Sequence, residues 1–151
     1  MTGKATMDSD KTLLFDNQVC FPLYSAANAM VRAYRPLLRE LDLTYLQYMT
    51  LMLLWEQPQM TVKEFGARLD LDSGTLTPLL KRLESKGLVT RERDKLDERI
   101  RVIKITAQGK ALRQKAEGIP AQLACNIGLD KKEAVQIKQM CQRLLQSLAE
   151  D

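Results

Sequence analysis

Hydrophobic side chains recur every three or four residues along most of the chain, and this spacing predicts a mostly helical fold. Phe65 and Leu69 form a short apolar pair behind Thr61 and Glu64, which have the spacing of a capping box at a helix start. Gly87 follows the next helical segment, where a left-handed residue commonly ends a helix. That segment carries the clearest apolar stripe in the sequence, made of Leu76, Leu79, Leu80 and Leu83.

The pattern changes to two strand-like segments after Gly87. Residues 88–93 and 99–105 are rich in Val, Ile and Arg, and the charged residues 94–98 between them predict a turn. The two preceding helices are joined by a tight connection at 71–74. Helix, turn, helix and β-hairpin, in this order, predict a winged helix-turn-helix.

A long helix and a buried helix are expected before this unit. The first is predicted over about residues 14–40, and Thr44 should cap the second, an apolar segment over residues 45–56. The expected features of the first helix are a cap at Asp16 or Asn17, a first turn or a kink at Pro22, and an interruption at Pro36.

Two further helices are expected after the hairpin, the first ending near residue 126 and the second covering about 130–149. The predicted boundaries are Thr106 as a cap, Gly118 and Pro120 as bends, Gly128 as a break and Asp130 as a second cap. The last helix carries an apolar stripe of Val135, Ile137, Met140, Cys141, Leu144, Leu145 and Leu148. Long terminal helices outside a compact unit indicate a dimer interface, because their own domain leaves them little to cover.

The basic charge of the chain is concentrated in the predicted winged unit. The formal net charge is +4. Residues 61–117 hold fourteen basic against nine acidic side chains, whereas 1–60 hold five against six and 118–151 hold four of each. A surplus confined to one unit is typical of the electrostatic footprint of a nucleic-acid-binding surface.

The expected DNA contacts lie on the polar face of the second helix and on the hairpin. Hydroxyls near a helix N-terminus can reach bases or phosphates, and cations neutralise phosphates. A solvated charged face is the competing interpretation of such a charge run. Pro78 removes a backbone donor and predicts a local bend or irregular first turn. The predicted DNA-binding residues are Ser73, Thr75, Thr77, Pro78, Lys81, Arg82, Arg91, Arg93, Lys95, Asp97 and Arg99.

These predictions describe a single domain of 151 residues with distinct regions. Residues 12–43 and 107–151 are expected to form dimerisation helices, 44–106 the DNA-binding winged unit, and 1–11 a disordered segment. A dimer suits an operator with two half-sites, so double-stranded DNA with an inverted repeat is the expected partner.

The composition argues against enzymatic, metal and membrane functions. The sequence has no histidine, no Gly-rich phosphate loop and no Ser/His/Asp set, and its three cysteines lack metal-type spacing. We therefore predict no enzymatic activity and no cofactor. No signal peptide or apolar membrane segment is evident, so a cytoplasmic protein without a membrane partner is expected.

Cys20 allows two interpretations from its residues alone. It lies in or near the first turn of the first long helix, where the helix dipole favours a thiolate, the form that attacks a peroxide. Tyr24 lies at i+4 on the same face, Tyr34 nearly four turns away, and Tyr45 on a different helix. Phenol donors directed at a sulfur would stabilise its thiolate, but a lone cysteine is more commonly a small buried hydrophobic residue.

The sequence resembles the MarR family of dimeric winged-helix transcription regulators over about residues 13–148. The segments that carry the resemblance are LTPLLKRLESKGLV at 76–89 and RERDKLDER at 91–99. The resemblance implies a pair between Asp97 and Arg99. Within the family the chain is similar to organic-hydroperoxide-sensing repressors of the OhrR type, through NQVCFPLY at 17–24, YRPLL at 34–38, LTYLQY at 43–48 and WE at 55–56.

The resemblance implies roles for the cysteines and tyrosines. Cys20 would be the peroxide-reactive thiol, and residues matching Tyr34 and Tyr45 bond the reactive sulfur, with Tyr24 as a further contact. Cys125 matches a second cysteine that forms an intersubunit disulfide with the oxidised thiol. Pro22 departs from the small residue expected after the Cys-Phe pair. Cys141 is expected to be a packing residue.

The resulting hypothesis is a dimeric repressor that organic hydroperoxides release from DNA. Two alternatives remain open. A MarR-type repressor could instead respond to a non-covalent phenolic or drug-like ligand bound between its dimerisation and DNA-binding regions, although such a sensor needs no thiol. A thiol peroxidase would use Cys20 with turnover, but it leaves the winged unit and its basic surplus unexplained.

Overall fold

A computed structural model describes the backbone of residues 9–149 and the side chains of residues 11–149. Eight α-helices and three strands are present in this range. The helices are α1 Ser9–Thr12, α2 Cys20–Leu38, α3 Tyr45–Glu56, α4 Val62–Leu69, α5 Ser73–Ser85, α6 Ala107–Ala116, α7 Ile119–Ile127 and α8 Lys131–Ala149. The strands are β1 Gln59–Thr61, β2 Val89–Arg93 and β3 Arg101–Ile105, and 3-10 turns cover Phe15–Asn17 and Arg39–Leu41.

The predicted hairpin is confirmed, and it belongs to a three-stranded antiparallel sheet of order β1-β3-β2. Ile103 in the central strand pairs with Met60 of β1 and with Arg91 of β2. β1 was not predicted, because three residues after Pro58 are too few to show an alternating pattern.

The core of the molecule lies inside the winged unit. All four leucines of the α5 stripe are buried, and they pack in one cluster with Phe65 of α4, Leu51 and Leu54 of α3, and Ile103 of β3. Burial of these side chains turns the opposite, polar face of α5 toward solvent.

The predicted caps are confirmed at four helix starts. Thr61 with Glu64 and Thr44 with Gln47 form capping boxes. Thr106 accepts from the Gly109 N–H at 3.1 Å, and Asp130 accepts from the Glu133 N–H at 2.8 Å. Gly87 and Gly128 end their helices with φ of +74° and +71°, which a residue with a Cβ rarely adopts.

Three boundary predictions differ from the structure at the N-terminal end. α2 starts at Cys20 behind Val19, which has no side-chain cap, so the predicted caps at Asp16 and Asn17 are wrong. Asn17 instead donates to the Lys11 carbonyl at 2.8 Å, because the chain before α2 folds into a 3-10 turn. Pro36 does not interrupt α2, which ends two residues later.

The predicted single helix after the wing is two helices. α6 ends at Ala116, and α7 begins at Ile119 behind Gly118, with Pro120 in its first turn, where its missing N–H costs no bond. The expected disorder over 1–11 lies outside the described residues for 1–8, and residues 9–11 belong to α1.

The terminal helices leave apolar side chains uncovered in a single chain. α7 packs against α2, whereas the α8 stripe stays exposed. Its exposed members are Val135, Ile137, Met140, Leu144, Leu145 and Leu148, and Cys141 is half-buried. None of the helices in the described range has the length and apolar character needed to span a bilayer.

Candidate functional site

The polar face of α5 forms a basic, hydroxyl-rich surface. Asp72 caps the helix by accepting from the Thr75 N–H at 2.8 Å, which fixes the first turn and its hydroxyls. The buried leucine stripe holds the helix from behind. Of the residues predicted for this surface, Thr77 is half-buried, and those exposed are Ser73, Thr75, Pro78, Lys81 and Arg82.

Pro78 does not break α5, which runs unbroken from Ser73 to Ser85. Its missing N–H leaves the Gly74 carbonyl, four residues earlier, without its helical donor. Both residues lie on the exposed face, where water or a ligand donor can satisfy that oxygen. The expected irregularity is therefore limited to one missing hydrogen bond.

The turn of the wing is ordered by two aspartates. Asp97 pairs with Arg99 as expected: its carboxylate accepts from Nε at 3.1 Å, from Nη2 at 3.2 Å and from the Arg99 N–H at 3.0 Å. The side-chain bonds and then the backbone bond to Arg99 lower the pKa of the Asp97 carboxyl. Asp94 accepts from the Leu96 N–H at 2.9 Å. The pair aims the Arg99 guanidinium from a fixed turn.

The strands of the wing carry cations with different surroundings. Arg93 is exposed and lies 4.0 Å from Glu98, and Lys104 pairs with Glu92 at 2.7 Å. Arg91 is half-buried, and its Nε is shielded from solvent without a hydrogen-bond partner in the described part of the chain. Lys95 and Arg99 at the tip are exposed. The cations most accessible to a partner therefore lie at the tip.

Lys86, which was not predicted as a functional residue, connects the end of α5 to the loop between α2 and α3. Its Nζ lies 3.3 Å from the Asp42 carboxylate and 3.3 Å from Gln47 Oε1, and it also donates to the Asp42 carbonyl. Asp42 has a left-handed backbone with φ +52°. No sequence signal marks this contact, because its two halves are 44 residues apart.

Cys20 is the first residue of α2, and its side chain is exposed in a single chain. No acidic residue occupies the first turn, so the positive end of the helix dipole at the thiol is not offset there. The ring centroids of Phe15 and Phe21 are 4.6 Å apart with the rings tilted, and those of Phe21 and Tyr24 are 6.5 Å apart. Tyr24 is 67% exposed. The thiol is thus accessible at the edge of an aromatic cluster.

Tyr34 and Tyr45 come together, but away from the cysteine of the same chain. Their ring centroids are 5.0 Å apart, and Tyr48 lies 5.8 Å from Tyr34. Fourteen residues of unbroken helix separate Cys20 from Tyr34, or about 21 Å. Burial raises the pKa of all three phenols, which keeps them protonated. Neither Tyr34 nor Tyr45 hydroxyl has a hydrogen-bond partner in the described range.

The other two thiols lie on different helices. Cys125 is exposed on α7, and Cys141 is half-buried on α8. α7 begins at Ile119 beside Leu37 and Leu41, at the end of α2 opposite Cys20. Within the described range, no three His, Cys, Asp or Glu side chains gather as metal ligands.

A groove of about 720 Å³ separates α2 from α5. Arg35 of α2 and Arg39 of the following 3-10 turn line one side, and Tyr45 of α3 lies between. Thr75 and Arg82 of α5 line the other side. Three guanidinium groups around an apolar floor can bind a small anion.

Comparisons with known proteins agree on one family. The family model described as MarR family matches residues 43–100. The organic hydroperoxide resistance transcriptional regulator of Bacillus subtilis (strain 168) is 47% identical over 125 residues, which cover 83% of each chain.

Two solved structures of AbfR are also similar to the chain. The structure of reduced AbfR bound to DNA has a TM-score of 0.77 at 34% identity and covers 89% of this chain and 92% of its own. The structure of disulfide-formed AbfR has a TM-score of 0.63 at 32% identity, covering 91% and 96%.

Proposed function

The chain belongs to the MarR family of transcriptional regulators, and from this premise we propose that it is a cytoplasmic, dimeric repressor released from DNA by organic hydroperoxides. The observation that carries this proposal is the accessible Cys20 at the uncapped start of α2. The 47% identity to an organic hydroperoxide resistance regulator supports the choice of inducer.

DNA binding rests on α5 and the wing. α5 presents hydroxyls in its first turns and two cations further along, a distribution suited to a helix in the major groove. The exposed α8 stripe would be buried in the dimer, and two-fold-related helices would then meet an inverted repeat with half-sites about one turn apart. Lys81 and Arg82 would hold phosphates, and the wing would reach the neighbouring groove.

The Tyr34–Tyr45 pair would act across the dimer. About 21 Å of helix separates it from Cys20 of its own chain, whereas a second copy covering the terminal helices could bring its own Cys20 to these phenols. Half-buried, protonated phenols are hydrogen-bond donors that stabilise a thiolate without adding charge. Tyr24, on the Cys20 helix itself, would be a further contact.

The first chemical step adds one oxygen to the sulfur. The Cys20 thiolate attacks the terminal oxygen of the hydroperoxide, so that an S–O bond forms and the O–O bond breaks. The alkoxide takes a proton and leaves as an alcohol, and the cysteine becomes a sulfenic acid. In the second step a Cys125 thiolate attacks that sulfur, so that an S–S bond forms and the S–O bond breaks. The hydroxide takes a proton from solvent and leaves as water.

The disulfide would form between subunits. Cys125 lies six residues into α7, about 9 Å from the start of that helix, whereas Cys20 lies seventeen residues before Leu37, about 26 Å away. Even if α7 runs back along α2, roughly 17 Å would separate the two thiols of one chain. A disulfide needs Cα atoms about 4.4–6.8 Å apart, so a partner subunit is the better source of the second thiol.

A DNA-shift assay with reduced protein and a Cys20→Ser variant tests the proposal. The operator is the duplex that reduced protein selects from a random library. Both proteins should bind it, and an organic hydroperoxide should release only the parent. Release of Cys20→Ser at the same peroxide concentration would remove Cys20 from the mechanism. Continuing peroxide consumption with a reductant would instead indicate a thiol peroxidase.

The groove between α2 and α5 supports a second candidate, a repressor controlled by a non-covalent ligand. Arg35 and Arg39 come from the predicted dimerisation region and Arg82 from α5. An anionic phenol bound between them could therefore change the position of α5 relative to α2. Such a ligand would release DNA equally from the parent and from Cys20→Ser.

A further inference from the structure

The wing tip carries a leucine that the fold does not use. Leu96 is 97% exposed, the highest value among the large hydrophobic side chains that the structure describes. The other strongly exposed ones lie mostly on the terminal segments, where a second copy can cover them. The wing strands pack against β1, α3, α4 and α5, so Leu96 projects from the DNA-binding unit.

Leu96 is held in place rather than left on a loose loop. Its N–H donates to the Asp94 carboxylate at 2.9 Å. The Asp94 N–H donates to the Ile100 carbonyl at 2.9 Å, and the Ile100 N–H to the Asp97 carbonyl at 3.0 Å. These bonds close the turn on both sides of Leu96, which lowers the conformational entropy lost when the side chain is bound.

The surroundings of Leu96 identify the kind of surface it fits. Lys95 precedes it in the turn, and Arg93 at the end of β2 and Arg99 in the turn are also exposed. An apolar tip between cations matches a groove with bases at its floor and phosphates on both rims. The minor groove is about 6 Å wide, which admits a side chain but not a helix.

The length of the wing allows this contact while α5 lies in the major groove. Each of β2 and β3 has five residues, so the hairpin spans about 17 Å. Half a turn of DNA, the step from a major groove to the next minor groove, is also about 17 Å. The tip can therefore reach the neighbouring minor groove.

We propose, on the basis of the DNA-binding function above, that Leu96 enters the minor groove of each half-site and selects A·T pairs there. Guanine places a 2-amino group in that groove, and A·T pairs do not. A leucine packed over this group would clash with it and leave a donor without an acceptor. Leu96 is thus a specificity residue, whereas Lys95 contributes affinity through a phosphate.

Base analogues test the contact directly in the selected duplex. Each A·T pair that flanks the α5 contact is replaced, symmetrically in both half-sites, by G·C, by inosine·C and by diaminopurine·T. Inosine lacks the 2-amino group, and diaminopurine adds it without changing the pairing partner. At one position G·C and diaminopurine·T should weaken parent binding roughly 5- to 50-fold, while inosine·C should bind like A·T.

The variants assign this discrimination to the side chain. Leu96→Ala should lose it and keep the salt slope of binding, whereas Leu96→Met should retain most of it. Lys95→Ala, the matched control, should weaken all duplexes alike and reduce the salt slope by about 1. If Leu96→Ala discriminated against the 2-amino group as strongly as the parent, the inference would be overturned. Leu96 would then be free to contact a protein partner instead. If the parent selects no duplex at all, the proposed function fails instead.

Discussion

At the residue scale, the closest approach to a glycine in the described residues is at Gly109 of α6, which lies against Leu88, just before β2, and against Ile105, the last residue of β3. A Cβ built there would lie 2.8 Å from Ile105 Cγ1 and closer still to the Leu88 carbonyl. The Gly109 carbonyl also accepts from the Trp55 indole at 2.9 Å, so a shift of α6 would lose this bond too. The sequence does not mark this position, because no local pattern around Gly109 indicates the approach of Leu88, which lies much earlier in the chain.

We therefore predict that Gly109→Ala lowers the free energy of unfolding by about 1–3 kcal/mol or more. Gly118→Ala is the matched control, since its added Cβ would meet only Gln122 Nε2 at 3.9 Å, and it should cost less than about 1 kcal/mol. Urea unfolding at one protein concentration measures both. Equal losses in the two variants would show that α6 can move away from Leu88 and Ile105 freely.

The buried tyrosines predict a loss of stability in alkali. Burial raises the pKa of Tyr34, Tyr45 and Tyr48 above the ordinary value of 10.0. Above about pH 10 the unfolded chain loses these protons while the folded chain keeps them, so the free energy of unfolding falls as the pH rises. Below this range all three phenols are protonated in both states, and they add no pH dependence.

Tyr34→Phe should make this alkaline decline shallower, because it removes one of the retained protons. Urea unfolding at about pH 8 and about pH 11 measures the difference. The control is the comparison at about pH 8, where the phenols are protonated in both states and add no pH dependence. A decline in Tyr34→Phe as steep as in the parent would show that this hydroxyl is not desolvated in the folded dimer.

At the scale of elements, the features that the sequence predicted correctly are those marked by residues close together in the chain. Helix starts were found where a capping side chain and its partner lie three residues apart, as at Thr61 and Glu64. The break between α6 and α7 was missed because Gly118 has an ordinary α backbone rather than a left-handed one, so its effect depends on packing against α2. β1 forms because β3 offers it a free edge, which no three-residue pattern can show.

Lys86 contacts Asp42 and Gln47 and so joins α5 to the α2–α3 loop. This contact is also long-range in the chain, and no local sequence signal marks it. We predict that Lys86→Met lowers the free energy of unfolding by about 1 kcal/mol, because a partly exposed cation loses its acceptors. Lys81→Met, on the same helix but without a side-chain partner in the described range, should change stability by less than about 0.5 kcal/mol. Urea unfolding compares the two.

For DNA affinity, in contrast to stability, we expect the larger loss in Lys81→Met and the smaller loss in Lys86→Met. Lys81→Met removes a proposed phosphate contact and should weaken binding to every sequence, while Lys86→Met keeps the exposed face of α5 intact. If both variants lost the same stability, the Lys86 contact would have no structural role. The comparison also distinguishes a residue that contacts DNA from one that positions α5.

At the scale of the whole molecule, the sequence placed the candidate site in two parts that one chain does not bring together. Cys20 and Tyr34 were predicted on one helix, and the structure separates them along unbroken α2. The α8 stripe is likewise exposed. The dimer proposed above would account for both observations, and the sequence pattern of one chain cannot specify how two copies meet.

The last prediction follows from this division between subunits. Oxidation of Cys20 to a sulfenic acid adds one oxygen and need not move α5. A disulfide to Cys125 of the partner subunit requires Cα atoms about 4.4–6.8 Å apart, and closing a wider gap must move backbone in α2 or α7. α7 packs against α2, and Lys86 ties the loop after α2 to α5, so this movement can turn the two winged units relative to each other.

Peroxide-treated protein should therefore run as a pair of chains on a non-reducing gel and release DNA. Cys125→Ser should lose the paired band and expose Cys20 to irreversible over-oxidation, which mass spectrometry detects. Cys141→Ser is the matched control and should change neither the band nor release, because its thiol is half-buried on the α8 stripe. Peptide mapping that joined Cys20 to Cys141, or full release without any paired band, would rule out this form of the switch, since the backbone movement would then need another cause.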